Sequence, residues 1–242
     1  MAAAPKRHMM SGTADPRLAN PDEAVRVKRI LRTDRKARPE LPGLPAAEPV
    51  EKPSLTAIDD YFAAADRLRA EVSEREVRTL IRWRRNRLVI ANNALLEASR
   101  ARREPPKMKW EDKQDLAILE RILSRQEKFR RTRRVFRPFI TPLGVDPVEW
   151  ARRQYTPGVK FVMPAFTSWT ADPLTICDRR IQVVLAADTR QGACLDLNAS
   201  GDFEVLQNRG LLVTTTGLYT TTIADLPVVL VTLLEDSARG AE

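Results

Sequence analysis

Histidine is nearly missing from this 242-residue chain, which carries His8 and no other. Ser-His-Asp and Cys-His catalysis and histidine-rich metal sites are thereby excluded unless the Pro/Ala/Lys-rich leader around His8 supplies the ring, and no metal is expected. The two cysteines, Cys177 and Cys194, lack metal-ligand spacing and point to a reduced compartment more than to a disulfide staple. Among the nine glycines there is no phosphate-binding loop, which argues against Rossmann and P-loop nucleotide sites, and no internal repeat is present. Neither a hydrophobic run of membrane-spanning length nor a signal peptide is visible. The expected location is the cytoplasm of the producing cell, or a target cell reached by a dedicated delivery machine.

Hydrophobic residues make up 43% of the chain, enough to bury a core in one domain of ordinary size with an extension. The formal net charge of +9 is unevenly spread: 32 basic and 20 acidic residues run up to Arg134 (+12), and 9 and 12 lie beyond it (−3). The N-terminal Arg-rich helices read either as solvated faces or as a patch for nucleic acid or another polyanion. The abundance of Ala, Arg and Pro fits a GC-rich bacterial or phage genome.

Residues 1–53 mix Pro, Ala and charge without periodicity and read as a largely disordered leader, with a short helix near Glu23 to Leu31. A basic helical segment follows over 54–131. Thr56 with Asp59, and Ser73 with Glu76, show the hydroxyl-x-x-acid pattern that satisfies free N–H groups at a helix start, predicting helices over 57–72 and 74–99. Ile58, Phe62 and Leu68, then Ile81, Leu88 and Leu95, recur at helical spacing and leave an Arg-rich opposite face. Trp83 sits among Arg82, Arg84, Arg85 and Arg87, where it either docks its helix or stacks on bases. Beyond Pro105 and Pro106, Leu116, Leu119 and Leu123 mark a third helix ending near Phe129.

From Arg134 the texture becomes strand-like, defining a β-rich core over 132–236 and a tail over 237–242. Asp146-Pro147-Val148-Glu149 combines an N-cap, a first-turn proline and an acid at the third position, starting a short helix to about Gln154. Strands are expected over 160–168, 181–187, 193–197, 203–206, 211–216 and 227–234, short runs rich in Val, Ile, Leu, Phe and Thr. Their spacing implies a mainly antiparallel core, so the fold class is α+β.

Three short runs carry chemistry. Val135-Phe136-Arg137 is apolar with one arginine, Phe166-Thr167-Ser168-Trp169-Thr170 ends an extended segment in hydroxyls, and Asp202 and Glu204 point to one side of an extended chain. Singly, Arg137 reads as a surface ion pair, Ser168 as a strand hydroxyl, and Asp202 with Glu204 as a solvated turn. Together they suit an anionic cofactor with a reactive sugar. Arginine's planar fork holds a diphosphate, hydroxyls serve ribose, and a fixed glutamate stabilises an oxocarbenium-like transition state as a glycosidic bond breaks.

That order and spacing resemble the ADP-ribosyltransferase superfamily, in its Arg, Ser-Thr-Ser, Glu-x-Glu branch of bacterial toxins, phage proteins and arginine-modifying transferases. The resemblance covers Arg134 to Leu234. Arg133-Arg134-Val135-Phe136-Arg137 is similar to the family's first strand, Gly158 to Ser168 to its approach to the second motif, and Asp202-Phe203-Glu204-Val205-Leu206 to its Glu-x-Glu signature.

The resemblance implies N-terminal helices on a two-sheet β core and NAD as the substrate that donates ADP-ribose. It implies that Arg137 binds the NAD phosphates and that Ser168 and Thr170 hold the nicotinamide ribose and orient Glu204. It assigns the transition state to Glu204, the incoming acceptor to Asp202, and the nicotinamide amide to the backbone at Pro138. Asp202 is one methylene shorter than glutamate, and Pro138 has no N–H to offer that amide. The implied partners are NAD and a target protein, with arginine as the leading acceptor residue. NAD hydrolysis, or nucleic-acid binding by a weakly catalytic member of the fold, are the alternatives.

Overall fold

The computed structural model describes residues 43–101, 104, 107–126, 129, 131–196 and 203–236. The expected helix near 23–31, Asp202 and the tail lie outside them.

Among the described residues four helices come first: α1 (Leu55–Glu71), α2 (Glu74–Arg84), α3 (Val89–Arg100) and α4 (Trp110–Arg125). α1 starts from Ser54, whose hydroxyl accepts the Ala57 N–H, two residues before the expected Thr56. Ser73 and Glu76 form the capping box that their spacing predicted for α2. The single helix expected over 74–99 is broken at 85–88, where Asn86 takes φ +56° and its N–H bonds to the Trp83 carbonyl. Asparagine tolerates that left-handed conformation, so the turn falls there at little cost. α2 is bound to α4 through Asp115, which accepts from Thr79 at 3.0 Å and from Arg82.

Glu76 does more than cap. Arg125 on α4 donates to both its oxygens at 2.9 Å, and this bond, with help from Ser73 and against burial, holds the Glu76 carboxyl down to about 2. Its folded value lies below its unfolded one, so the stabilisation is present above about pH 4.3 and disappears as pH falls toward 2. With Arg125 37% exposed, screening reduces the contribution to about 2 kcal/mol. Denaturant unfolding of the wild type and Glu76→Gln between pH 6 and pH 2.5 checks this: the stability gap between them should close as pH falls.

The strands follow: β1 (Arg133–Phe139), β2 (Lys160–Met163), β3 (Thr167–Thr170), β4 (Val183–Thr189), β5 (Ala193–Cys194), β6 (Glu204–Gln207), β7 (Leu211–Ile223) and β8 (Leu226–Glu235). Helix α5 (Pro147–Gln154) lies between β1 and β2, capped by Asp146 as expected. All pairings are antiparallel except β4 with β8. The order is β2-β7-β8-β4-β1-β3-β6-β5, one continuous eight-stranded sheet. Where two sheets were expected, the ladder narrows to a single pair, Phe136 with Thr170, between β1 and β3.

The run 160–168 is not one strand. β2 pairs with β7 and β3 with β6, and the chain changes partner at Pro164–Phe166, where proline cannot donate to a ladder. Gly210, at φ +85°, makes the turn between β6 and β7 that an L side chain would strain. Part of the leader is ordered along the sheet: the Ala47 and Val50 N–H groups donate to the Thr220 and Thr222 carbonyls of β7.

Three apolar clusters fill the fold. One face of β1, β4 and β8, through Val135, Leu185 and Val231, packs with Tyr61 of α1 and Val148 and Ala151 of α5. The other face packs Phe136, Val184 and Leu230 with Ile176 and Ile223. Under β3, β5 and β6, Phe166, Ala193, Leu195 and Leu206 meet Leu80, Leu95 and Leu119 of α2, α3 and α4.

Candidate active site

β3 and β6 run antiparallel with Ser168 opposite Leu206 and Thr170 opposite Glu204. This register brings two residues 36 apart in sequence into contact: the Ser168 hydroxyl donates to Glu204 Oε1. Glu204 is buried, and its backbone carbonyl accepts from the Tyr61 hydroxyl at 3.0 Å and the Leu195 N–H at 2.7 Å. Burial raises the Tyr61 pKa well above its ordinary value, so it remains a donor at any working pH. Phe203, at φ +50°, turns the chain into β6 and lays its ring 5.3 Å from Tyr61 and 5.7 Å from Phe62. A bulky residue held at positive φ marks strain that its surroundings must overcome.

Two further groups reach the carboxylate that sequence reasoning did not place there. The Trp83 indole N–H donates to Glu204 Oε1 at 3.2 Å, and Arg84 Nε lies 3.5 Å from Oε2. Trp83 is wedged edge-on against Phe166, with centroids 6.1 Å apart, so it docks its helix instead of offering a face to bases. The signal available in the sequence was an indole inside a basic run at a helix end. Arg82 and Arg84 also turn inward, onto Asp115 and Glu204, which leaves Arg85 and Arg87 as the exposed arginines of the run.

The remaining predicted residues are placed as follows. Phe136, Thr170 and Glu204 form one row across β1, β3 and β6. Arg137 is the next residue along β1, and alternation sets it on the side of Val135 and Phe139, its guanidinium 5.2 Å over the Phe139 ring. Pro138 pairs with Val184 beside it. Thr170 is buried, its hydroxyl bonded within the following turn to Asp172 and Thr175. Trp169 faces the core with Val205, as strand periodicity predicts, and its indole N–H has no partner among the described residues. Cys177 is exposed and Cys194 buried, both free thiols, and burial pushes the Cys194 thiol up to about 12. Among the described residues no three His, Cys, Asp or Glu side chains gather as a metal site, and no helix is long and apolar enough to cross a membrane.

A cavity of about 1080 Å³ opens beside the carboxylate, lined by Tyr61, Arg133, Phe136, Ala171 and Phe203. Ser168 and Glu204 do not line it.

About three quarters of the chain matches solved structures. An ADP-ribosylating toxin of Clostridium perfringens, BECa of a binary enterotoxin solved with NADH, superposes with a TM-score of 0.60 at 12% identity over 75% of this chain. This chain has the ADP-ribosyltransferase fold. The match covers 48% of BECa, so the chain spans about half that toxin's length. Shorter ADP-ribosyltransferases are spanned almost whole. Plx2a, a toxin of Paenibacillus larvae, has a TM-score of 0.56 at 13% identity over 74% of this chain and 94% of its own. The C3 exoenzyme of Clostridium limosum has a TM-score of 0.57 at 15% identity over the same two shares, 74% and 94%. No family model and no curated protein sequence matches the chain.

Proposed function

We propose that the protein is an NAD-dependent mono-ADP-ribosyltransferase of toxin type. The observation that carries this reading is the buried Glu204 carboxylate, oriented by Ser168 and Trp83, in an ADP-ribosyltransferase fold. As the bond between ribose and nicotinamide breaks, positive charge grows on the sugar. A carboxylate already fixed toward that position stabilises it without reorganising. Ser168 and Trp83 keep Glu204 from rotating, Arg137 binds the NAD diphosphate, and Thr170 and the backbone at Pro138 support the nicotinamide ribose and amide. Asp202 positions or deprotonates the acceptor, a protein side chain with arginine first among candidates. The cavity lined by Tyr61 and Phe203 is of the size that holds small-molecule ligands.

NAD hydrolysis, with water as acceptor, is the second reading, favoured by the burial of the Glu204 carboxylate. Incubation with NAD labelled in its adenine, together with a cell lysate, separates the two. Label on macromolecules is expected for transfer, and mass spectrometry of the labelled protein names the acceptor residue. Free ADP-ribose alone would establish hydrolysis, and intact NAD would overturn both.

A further inference from the structure

The turn between α2 and α3 and the entry to α4 enclose a second cavity, about 590 Å³ in volume, that shares no lining residue with the first. Its apolar lining comes from the buried or half-buried Ile81, Ala91 and Met108, and its cationic lining from the exposed Arg85, Arg87, Lys107 and Lys109. None of these four cationic side chains forms an ion pair among the described residues. Two acids also line the groove, the exposed Glu111 and Asp112, which lies 3.5 Å from Arg82. Helix stability does not account for the lysines. Lys107 and Lys109 stand at the N-terminus of α4, where the helix dipole favours acids, and Lys109 occupies the cap position without a side-chain capping bond. Positions that break a local rule without stabilising the fold are where function is to be sought.

Two large apolar side chains accompany the cations. Ile90, 82% exposed, lines the groove, and Trp110, 70% exposed, stands between Lys109 and Glu111, which both line it. One such residue is ordinary on a protein surface. An isoleucine and a tryptophan beside one cationic groove have the composition of a docking surface.

We infer that this groove docks an acidic peptide segment of a partner protein, one that carries an apolar side chain among its carboxylates. The carboxylates pair with the arginines and lysines, and the apolar side chain covers Ile81, Ala91 and Met108, taking them and itself out of water. Shape and lining decide against other polyanions. A nucleic-acid backbone would engage the cations and leave the apolar lining wet, and a bilayer surface meets projecting side chains without following a concave one. The inference is independent of the transferase reading, because neither Ser168 nor Glu204 lines this groove.

The test is fluorescence anisotropy of the full chain with a short labelled peptide of glutamates around a central leucine-phenylalanine pair. An all-glutamate peptide of the same length and a peptide with lysines around the same pair are the comparisons. The acidic peptide with the apolar pair should bind roughly tenfold or more tightly than either, and added salt should weaken it. Ile90→Ser, and Arg85→Ala combined with Lys109→Ala, should each weaken it roughly tenfold or more. All three positions are exposed, and circular dichroism confirms that the variants keep their fold. Absence of peptide binding overturns the inference, as does equal binding of the all-glutamate peptide or a folded double variant that binds as the wild type does. Tighter binding of an oligothymidylate of equal charge, or of phosphatidylserine vesicles, lost in the same variants, overturns it in favour of a general polyanion surface.

Discussion

Replacing Glu204 by glutamine is expected to lower nicotinamide release and ADP-ribose transfer by roughly a hundredfold or more, the usual effect of losing one preorganised electrostatic group. Glutamine has nearly the same shape and keeps an oxygen to accept from Ser168 and Trp83, so the local packing survives. What disappears is the negative charge, the property that the developing cation on the ribose needs. The loss should fall on kcat with little change in KM, because the interaction strengthens only in the transition state. The measurement pairs initial rates of nicotinamide release with circular dichroism of the variant. A folded Glu204→Gln protein of wild-type activity would end the assignment.

The second large effect is structural and lies next to the site. Phe166 is fully buried, packs under Trp83, and has both backbone polar groups bonded to Asn92 of α3. The Asn92 amide donates to the Phe166 carbonyl at 2.9 Å, and the Phe166 N–H donates to Asn92 Oδ1 at 3.0 Å. Phe166→Ala would leave a cavity between the helices and β3 in a region whose backbone cannot collapse because Asn92 holds it. Loss of a buried phenylalanine costs about 3–5 kcal/mol, and a rigid wall keeps the cost toward the upper end. In a chain of this length that lowers Tm by roughly 10 °C or more. Calorimetry of the purified variant checks it. The same variant loosens the wedge on Trp83, so activity assayed well below its Tm should also fall.

The features legible in the sequence were those set locally or by register. The Ser73–Glu76 capping box and the Asp146-Pro147-Glu149 start are decided within four residues, and the structure has both. Ser168 and Glu204 could be paired because they sit on segments whose hydroxyl and acidic residues match a known order, and β3 with β6 supplies the contact. Trp83 and Arg84 were visible as residues but not as neighbours of Glu204. Trp83 is 121 residues away from it, and nothing in helical periodicity says which face of a sheet a helix will meet. The split of 160–168 into β2 and β3 was obscured by continuous hydrophobicity across Pro164, which a pattern of side chains records and a hydrogen-bond ladder does not. Thr170 shows the limit of residue type as a guide: that its hydroxyl closes the turn to Asp172 is a local contact the residue's identity does not announce.

The narrow junction between β1 and β3 bears on the order in which the chain acquires its shape during synthesis. β3, β6 and β5 hang from the rest of the sheet by the pair Phe136 and Thr170, and their undersides close on α2, α3 and α4. Those helices leave the ribosome about a hundred residues before β6, carrying Leu80, Leu95 and Leu119 with no sheet to cover them. They are the waiting half of a core whose other half arrives late, a topology that slows folding and lengthens exposure of apolar surface. The carboxylate that gives the protein its proposed activity is the first residue of β6. Until that strand docks, the nascent chain has neither a finished core nor this carboxylate in place.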